Sequence, residues 1–226
     1  MQEVSIALKY KCFILDHDDT GVKSTPDIHF PSFVEALKDL RPNDKPITLE
    51  DIVRYCFNPG FSSLCKDIIK FTEEKQKHQQ VVWKKYTEST VPDFYELFVE
   101  TIQEFKKQGG IVTVVSHSER SRIERDYSIH CGFIPDAIFG WELPEHQRKP
   151  HPYPIKEILN RFNLQATEAL MLDDLKPGLE MARSCHVDFA AAGWSHSIPE
   201  IKEQMKLESK FYFETVEQFN RFILCK

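Results

Sequence analysis

A chain of 226 residues with 41% hydrophobic and 28% charged side chains has room for one large domain, or for a core domain with a smaller insertion, and the balance of an ordinary globular protein. A net charge of −6 without a basic block excludes a dedicated nucleic-acid binder, and no apolar run approaches bilayer length, so neither nucleic acid nor membrane is an expected partner. The six cysteines (Cys12, Cys56, Cys65, Cys131, Cys185 and Cys225) are scattered without Cys-x-x-Cys spacing, and the opening Met-Gln-Glu-Val lacks a signal-peptide pattern. Together these predict free thiols in a protein of the reducing cytoplasm, without a disulfide framework or zinc site.

Taken in chain order, residues 11–15 are a short apolar run and read as the first strand. Residues 25–90 are helix-like and carry no convincing strand; Pro26, Pro31, Pro42, Pro46 and Pro59 punctuate them, and Phe33, Leu37 and Leu40 share one helical face. This block reads as a small helical insertion. Asp93 is the expected cap of a helix with Phe94, Leu97, Phe98, Thr101, Ile102 and Phe105 inward, ended by Gly109-Gly110. The β-branched run at residues 111–115 predicts a buried strand, followed by a charged helix from Glu119 to about His130. Further strands are expected at residues 137–139, 169–172 and 189–192, with helices at residues 154–162 and 177–184. This alternation predicts an α/β fold with a parallel sheet.

The chemistry collects where predicted strands end. The first strand runs into Asp16-His17-Asp18-Asp19-Thr20. Aspartate is a poor strand former and costly to bury, so two of them at a buried strand end suit a cation, a phosphate or both. One carboxylate can attack phosphorus, and a second acid two residues on can protonate the leaving oxygen and then deprotonate water. Asp16, Asp18, Thr20, Gly21 and Asp27 also fall at positions one, three, five, six and twelve of an EF-hand calcium loop, the sixth being its turn glycine. That loop is preceded by a helix, whereas here a strand-like run precedes, Pro26 intrudes and Asp replaces the final Glu.

Ser116 closes the second strong strand and can donate to a phosphoryl oxygen, while Ser118 is the better cap for the following helix. Lys149, flanked by prolines at 150 and 152, would offset the repulsion between a phosphoryl group and nearby carboxylates. Asp173-Asp174 follows the strand at residues 169–172. One acid could cap the next helix; two, matching the acids of the first strand, favour a metal site suited to Mg²⁺.

The order Asp-x-Asp-x-Thr, Ser, Lys-Pro, Asp-Asp resembles the haloacid dehalogenase superfamily across nearly the whole chain, and most closely its phosphoglycolate-phosphatase-like and β-phosphoglucomutase-like members. The resemblance implies a Rossmann-like parallel core at residues 1–24 and 92–226, with a helical cap at residues 25–91. It implies Mg²⁺ as cofactor, held by Asp16, Asp18 (through its carbonyl), Asp173 and Asp174. Asp16 would be the nucleophile, Asp18 the general acid/base, and Lys149 the charge-stabilising cation. Thr20, Ser116, His117 and Lys149 would serve the phosphate, joined by backbone amides of residues 15–19 and of His117. His29 and Lys66 are the candidate substrate contacts in the cap. The usual Gly after the second acid is Asp19 here, and the more frequent Gly-Asp-x-x-x-Asp motif is replaced by Asp173-Asp174 with Gly178 later. Dehalogenases and phosphonatases of this superfamily lack an acid at the Asp18 position, so its presence favours phosphate esters. The expected activity is a phosphatase acting on a small phosphate monoester through an aspartyl-phosphate, in a monomer or homodimer. The alternative is a phosphomutase, since residues 25–30 are similar to the segment that carries a catalytic His in β-phosphoglucomutase. For His29 itself, packing at the first cap helix is the favoured role.

Overall fold

The computed structural model describes residues 8–224; the Met1–Val4 stretch and Cys225 lie outside them. The chain divides into two compact units, one running to Val22 and resuming at Phe94, the other Lys23–Asp93.

The first unit is built on six strands: β1 Cys12–Leu15, β2 Ile111–Val115, β3 Ala137–Phe139, β4 Ala169–Asp173, β5 Asp188–Ala192 and β6 Phe211–Phe213. All neighbours are parallel and the order is β3-β2-β1-β4-β5-β6. β1 and β4 are buried along their whole length, as parallel strands covered on both faces must be, which is why both read as continuous apolar runs. The order reverses direction beside β1, where an open parallel sheet leaves a crevice at its carboxyl edge. Cys12 is opposite Ile111 on one side and Ala169 on the other, so Leu15, Val114 and Leu172 end in register. The residues that follow these strands therefore meet at one edge.

Helices cover the sheet through apolar stripes. Phe98–Lys107 buries Phe98, Ile102 and Phe105, and Arg120–Cys131 buries Ile123 and Tyr127 and ends on Gly132 at φ 72, a left-handed turn glycine adopts freely. One core cluster joins Phe13, Leu15, Val112, Val114, Leu170 and Leu172 to these helices and to Phe219. The last segment adds helix Pro199–Glu208, β6 and helix Val216–Ile223, which the sequence reading does not reach.

One expected boundary is corrected. Asp93 caps no helix: its carbonyl accepts from Lys23 N–H, Phe94 bridges Val22, and the helix starts only at Phe98 after Leu97 at φ 65. Leu97 is exposed rather than inward. A second backbone pairing outcompeted the local capping signal of Asp93.

The second unit is helical throughout, with helices Phe30–Leu40, Leu49–Phe57 and Glu73–Ser89 and shorter turns between them. Thr48 and Asp51 form a reciprocal capping box, and Thr72 caps the long, polar helix. Phe33, Ile52, Leu64, Cys65 and Phe71 form its own core. Tyr86 donates to Glu35 at 2.6 Å and ties the first helix to the last. Among the described residues, Cys12, Cys56, Cys65, Cys131 and Cys185 are free, and no helix is long and apolar enough to cross a membrane.

Candidate active site

The site begins where β1 stops. Asp16 N–H donates to Leu172 carbonyl at 2.8 Å, one step past the strand, and then the chain turns. Gly21 and Val22 both donate to the carbonyl of His17 at 3.0 Å, and Asp19 N–H donates to Val22 carbonyl. Asp19 takes φ 58, a left-handed conformation that suits Gly and that Asp tolerates better than most residues. Two of the backbone amides expected to receive phosphate are thus already engaged, that of Asp16 with β4 and that of Asp19 within the turn.

Across β1 and β4 the acids converge. Lys149 donates to Asp16 Oδ1 at 2.6 Å and to Asp173 Oδ2 at 2.8 Å, all three side chains being buried. Thr20 directs its hydroxyl at Asp16 Oδ2 (3.3 Å) and Asp174 Oδ1 (3.4 Å), and its own carbonyl accepts from Trp194 Nε1. Asp173 Oδ1 accepts from Leu175 N–H at 2.9 Å, so one of the paired acids does cap the chain ahead of helix Lys176–Ser184 while also binding Lys149.

One ammonium faces three buried carboxylates, and burial and the unbalanced charge together displace the pKa values of Asp16 and Asp174. Burial pushes Asp16 up to about 7, with Lys149 opposing and the Asp173 and Asp18 charges adding to the rise. Burial also holds Asp174 well above the usual carboxylate range, helped by Asp173 and Asp16. Burial alone would lower Lys149, but the two carboxylates outweigh it and the ammonium is held above its ordinary range. Oxygen atoms of Asp16, Asp173 and Asp174 lie within 4.8 Å of one another. A buried, all-oxygen set with too little positive charge is what a hard divalent cation fits, and these three residues are the ones that would hold it.

Beside this cluster, Asp18 is held by the segment after β2. Ser118 Oγ donates to Asp18 Oδ2 at 2.7 Å and Ser116 Oγ donates to the same oxygen at 3.2 Å. Ser116 also accepts from Ser118 N–H at 3.1 Å. Ser118 is therefore not the expected helix cap: helix Arg120–Cys131 starts after Glu119 without a side-chain cap, and Arg120 N–H is met instead by Glu142 at 2.9 Å. A cap would need Ser118 Oγ to accept from a backbone N–H of the first turn; the helix instead starts two residues on, and the Ser118 hydroxyl donates to the charged carboxylate of Asp18. His117 donates from Nε2 to Lys149 carbonyl at 3.1 Å, fixing the backbone that carries the lysine; burial and the nearby ammonium lower its pKa to about 4.

The structure thus brings together Asp16, Asp18, Thr20, Ser116, His117, Lys149, Asp173 and Asp174 in the α/β unit. His29 and Lys66 belong to the helical unit: His29 Nδ1 accepts from Trp83 Nε1 at 3.0 Å, and Lys66 is exposed. Sequence reasoning missed Ser118 as a partner of Asp18, though its place two residues beyond Ser116 was a usable signal. It places Gly178 only as a residue after the paired acids and does not reveal its role as clearance, a Cβ there standing 2.2 Å from Asp173 Oδ2. No spacing rule announces that clearance.

Residues 13–192 match the haloacid dehalogenase-like hydrolase family. The pyrophosphatase PpaX of Bacillus thuringiensis (strain Al Hakam) is 26% identical over 192 residues, covering 83% of this chain and 85% of its own. Among solved structures, a predicted phosphoglycolate phosphatase from Haemophilus somnus superposes with a TM-score of 0.75 at 22% identity, covering 95% of this chain and 98% of its own. CbbY from Rhodobacter sphaeroides, in complex with xylulose-(1,5)bisphosphate, gives 0.71 at 14% identity, covering 91% and 94%. At these identities the two structures speak for the fold alone. The family match spans most of the sequence and the parallel sheet carries its acids at one edge, so the chain belongs to the haloacid dehalogenase-like hydrolases.

Proposed function

We propose that this protein is a Mg²⁺-dependent phosphatase that hydrolyses a small phosphate monoester through an aspartyl-phosphate on Asp16. The observation that carries the reading is Asp16 at the end of β1, with Lys149 on one carboxylate oxygen, Thr20 on the other, and Asp18 two residues on. A carboxylate so fixed is oriented for in-line attack. An Asp16 oxygen bonds to phosphorus while the ester P–O bond breaks, its electron pair leaving with the alkoxide oxygen, which takes a proton from Asp18. Asp18, now a carboxylate, removes a proton from water; the water oxygen bonds to phosphorus and the bond to Asp16 breaks. Lys149 keeps its ammonium against Asp16 and offsets charge on the phosphoryl group. Bound among Asp16, Asp173 and Asp174, Mg²⁺ would offset the remaining negative charge of carboxylates and phosphate.

Ser116 and Ser118 support the role of Asp18 by holding its carboxylate. Selection of the leaving group is assigned to the helical unit Lys23–Asp93 as a cap, with His29 and Lys66 as its candidate residues, on the family resemblance. The hydrogen bond from Trp83 to His29 supports a packing role for that ring over the mutase alternative. Free cysteines throughout the described residues support a cytoplasmic setting.

The test is phosphate release from sugar phosphates, phosphoglycolate, nucleotides, pyrophosphate and an aryl phosphate, with Mg²⁺ and with chelator. Chelator-sensitive release from a monoester upholds the reading, and the best ester identifies the leaving group. Release from pyrophosphate alone would replace the monoester by a phosphoanhydride. No release from any compound would overturn the phosphatase assignment.

A further inference from the structure

Between the two acids of the first loop lies a residue the mechanism does not use. His17 is 2% exposed, and its Nε2–H donates to Asp126 Oδ2 at 3.1 Å on helix Arg120–Cys131. Asp126 is equally buried, and its other oxygen accepts from Arg125 Nε at 2.7 Å. The surroundings are aromatic: the His17 ring lies 5.8 Å from Tyr127 and 6.3 Å from Phe94, centroid to centroid. His17 Nδ1 has no hydrogen-bond partner among the described residues. An apolar side chain would fill such a slot without leaving a buried ring nitrogen unsatisfied. A polar pair here is thus poorly explained by packing alone.

Its position offers a reason. The carbonyl of His17 accepts from both Gly21 and Val22, so this residue is the pivot of the turn that carries Asp16, Asp18 and Thr20. The helix that carries Asp126 continues directly from Ser118, whose hydroxyl holds Asp18. The first loop is therefore tied to one segment at two points, Asp18 to Ser118 and His17 to Asp126.

We propose that the buried His17–Asp126 hydrogen bond is a brace that sets the angle of the Asp16–Asp18 turn against helix Arg120–Cys131, making His17 and Asp126 positioning residues for the nucleophile and the acid/base. The proposal rests on the phosphatase reading above. A hydrogen bond with a defined direction fixes a turn in a way that an apolar contact does not, and displacements of about 1 Å at a reacting carboxylate cost on the order of a hundredfold in rate.

The test compares kcat and KM for an aryl phosphate at saturating Mg²⁺ in His17→Leu, His17→Gln, Asp126→Asn and the wild type. Leu fills the space without a donor; Gln restores a donor at similar reach; Asn keeps the volume but turns an N–H₂ toward one of its two donors. The brace predicts that His17→Leu loses about tenfold or more in kcat with KM within about threefold, and that His17→Gln recovers most of it. Asp126→Asn should fall between them, and it decides the matter if His17→Leu does not fold. Turnover within about twofold of wild type in both His17→Leu and Asp126→Asn, with only stability lowered, would make the pair structural and overturn the brace. A loss confined to KM would overturn it as well. Should the wild type cleave nothing, the phosphatase reading fails and the brace is judged on backbone amide NMR shifts of Asp16, Asp18 and Ser118. Displaced resonances in His17→Leu that return in His17→Gln uphold it, and unmoved ones refute it.

Discussion

Gly178→Ala tests whether the position of Asp173 is set by clearance inside the fold. Gly178 is the third residue of helix Lys176–Ser184, and a Cβ there would stand 2.2 Å from Asp173 Oδ2, 2.4 Å from its Cγ and 2.7 Å from its Cβ. Ordinary contact begins at 3.4 Å, so the carboxylate must retreat by about 1.2 Å or the helix must shift as far. Asp173 cannot retreat freely, because Lys149 holds Oδ2 at 2.8 Å and Leu175 N–H holds Oδ1 at 2.9 Å. Overpacking and a stretched charged hydrogen bond together cost about 2–4 kcal/mol, while replacing Gly by Ala in a helix returns about 1 kcal/mol. The expected net is a destabilisation of about 1–3 kcal/mol in urea unfolding, with turnover reduced about tenfold and the Mg²⁺ half-saturation point raised. The assays are denaturant titration and phosphate release as a function of Mg²⁺. A variant stabilised by about 1 kcal/mol, as helix propensity alone predicts, with unchanged turnover and Mg²⁺ dependence, would refute the reasoning.

Other perturbations separate the remaining roles. Asp16→Asn should abolish phosphate release yet leave circular dichroism and the urea midpoint nearly unchanged, since it removes a carboxylate whose ionised form burial disfavours; retained turnover would remove Asp16 as nucleophile. Ser118→Ala takes away the 2.7 Å hydroxyl on Asp18 and should lower kcat about tenfold with little change in KM, read by steady-state kinetics against Ser118→Thr, which keeps the hydroxyl. For pH, burial lowers His196 from 6.5 to about 4, and its Nδ1 accepts from Ile198 N–H, a bond only the unprotonated nitrogen can make. The unfolded chain binds this proton first, so the wild type should lose stability relative to His196→Gln as pH falls from 6.5 toward 4, by about 1–2 kcal/mol after discounting for the partly exposed ring. A difference that does not vary with pH in paired urea titrations would dismiss His196 as its source.

The sequence alone determined where β1 to β5 lie and where the acids fall beside them; β6 it did not reveal. Residues 11–15, 111–115 and 169–172 are short β-branched or apolar runs with no amphipathic stripe, the pattern of a strand buried on both faces, and each is followed at once by a polar residue, Asp16, Ser116 or Asp173, that is costly to bury. Parallel register then puts Asp16, Ser116 and Asp173 at one edge, so much of the candidate site was legible in the sequence. What only the tertiary structure decided are the partnerships that cross the fold. Asp93 has the composition of a helix cap, but backbone pairing of residues 93 and 94 with Lys23 and Val22 delays the helix to Phe98; Ser118 has it too, but its helix starts at Arg120 and its hydroxyl donates to a carboxylate from a loop about a hundred residues earlier. Lys149 bridges Asp16 and Asp173, Gly178 makes room for the latter, and His17 meets Asp126. Local pattern reports what a residue can bond to nearby. Which acceptor it takes depends on the desolvated charges that packing brings alongside, and those come from segments no spacing rule connects.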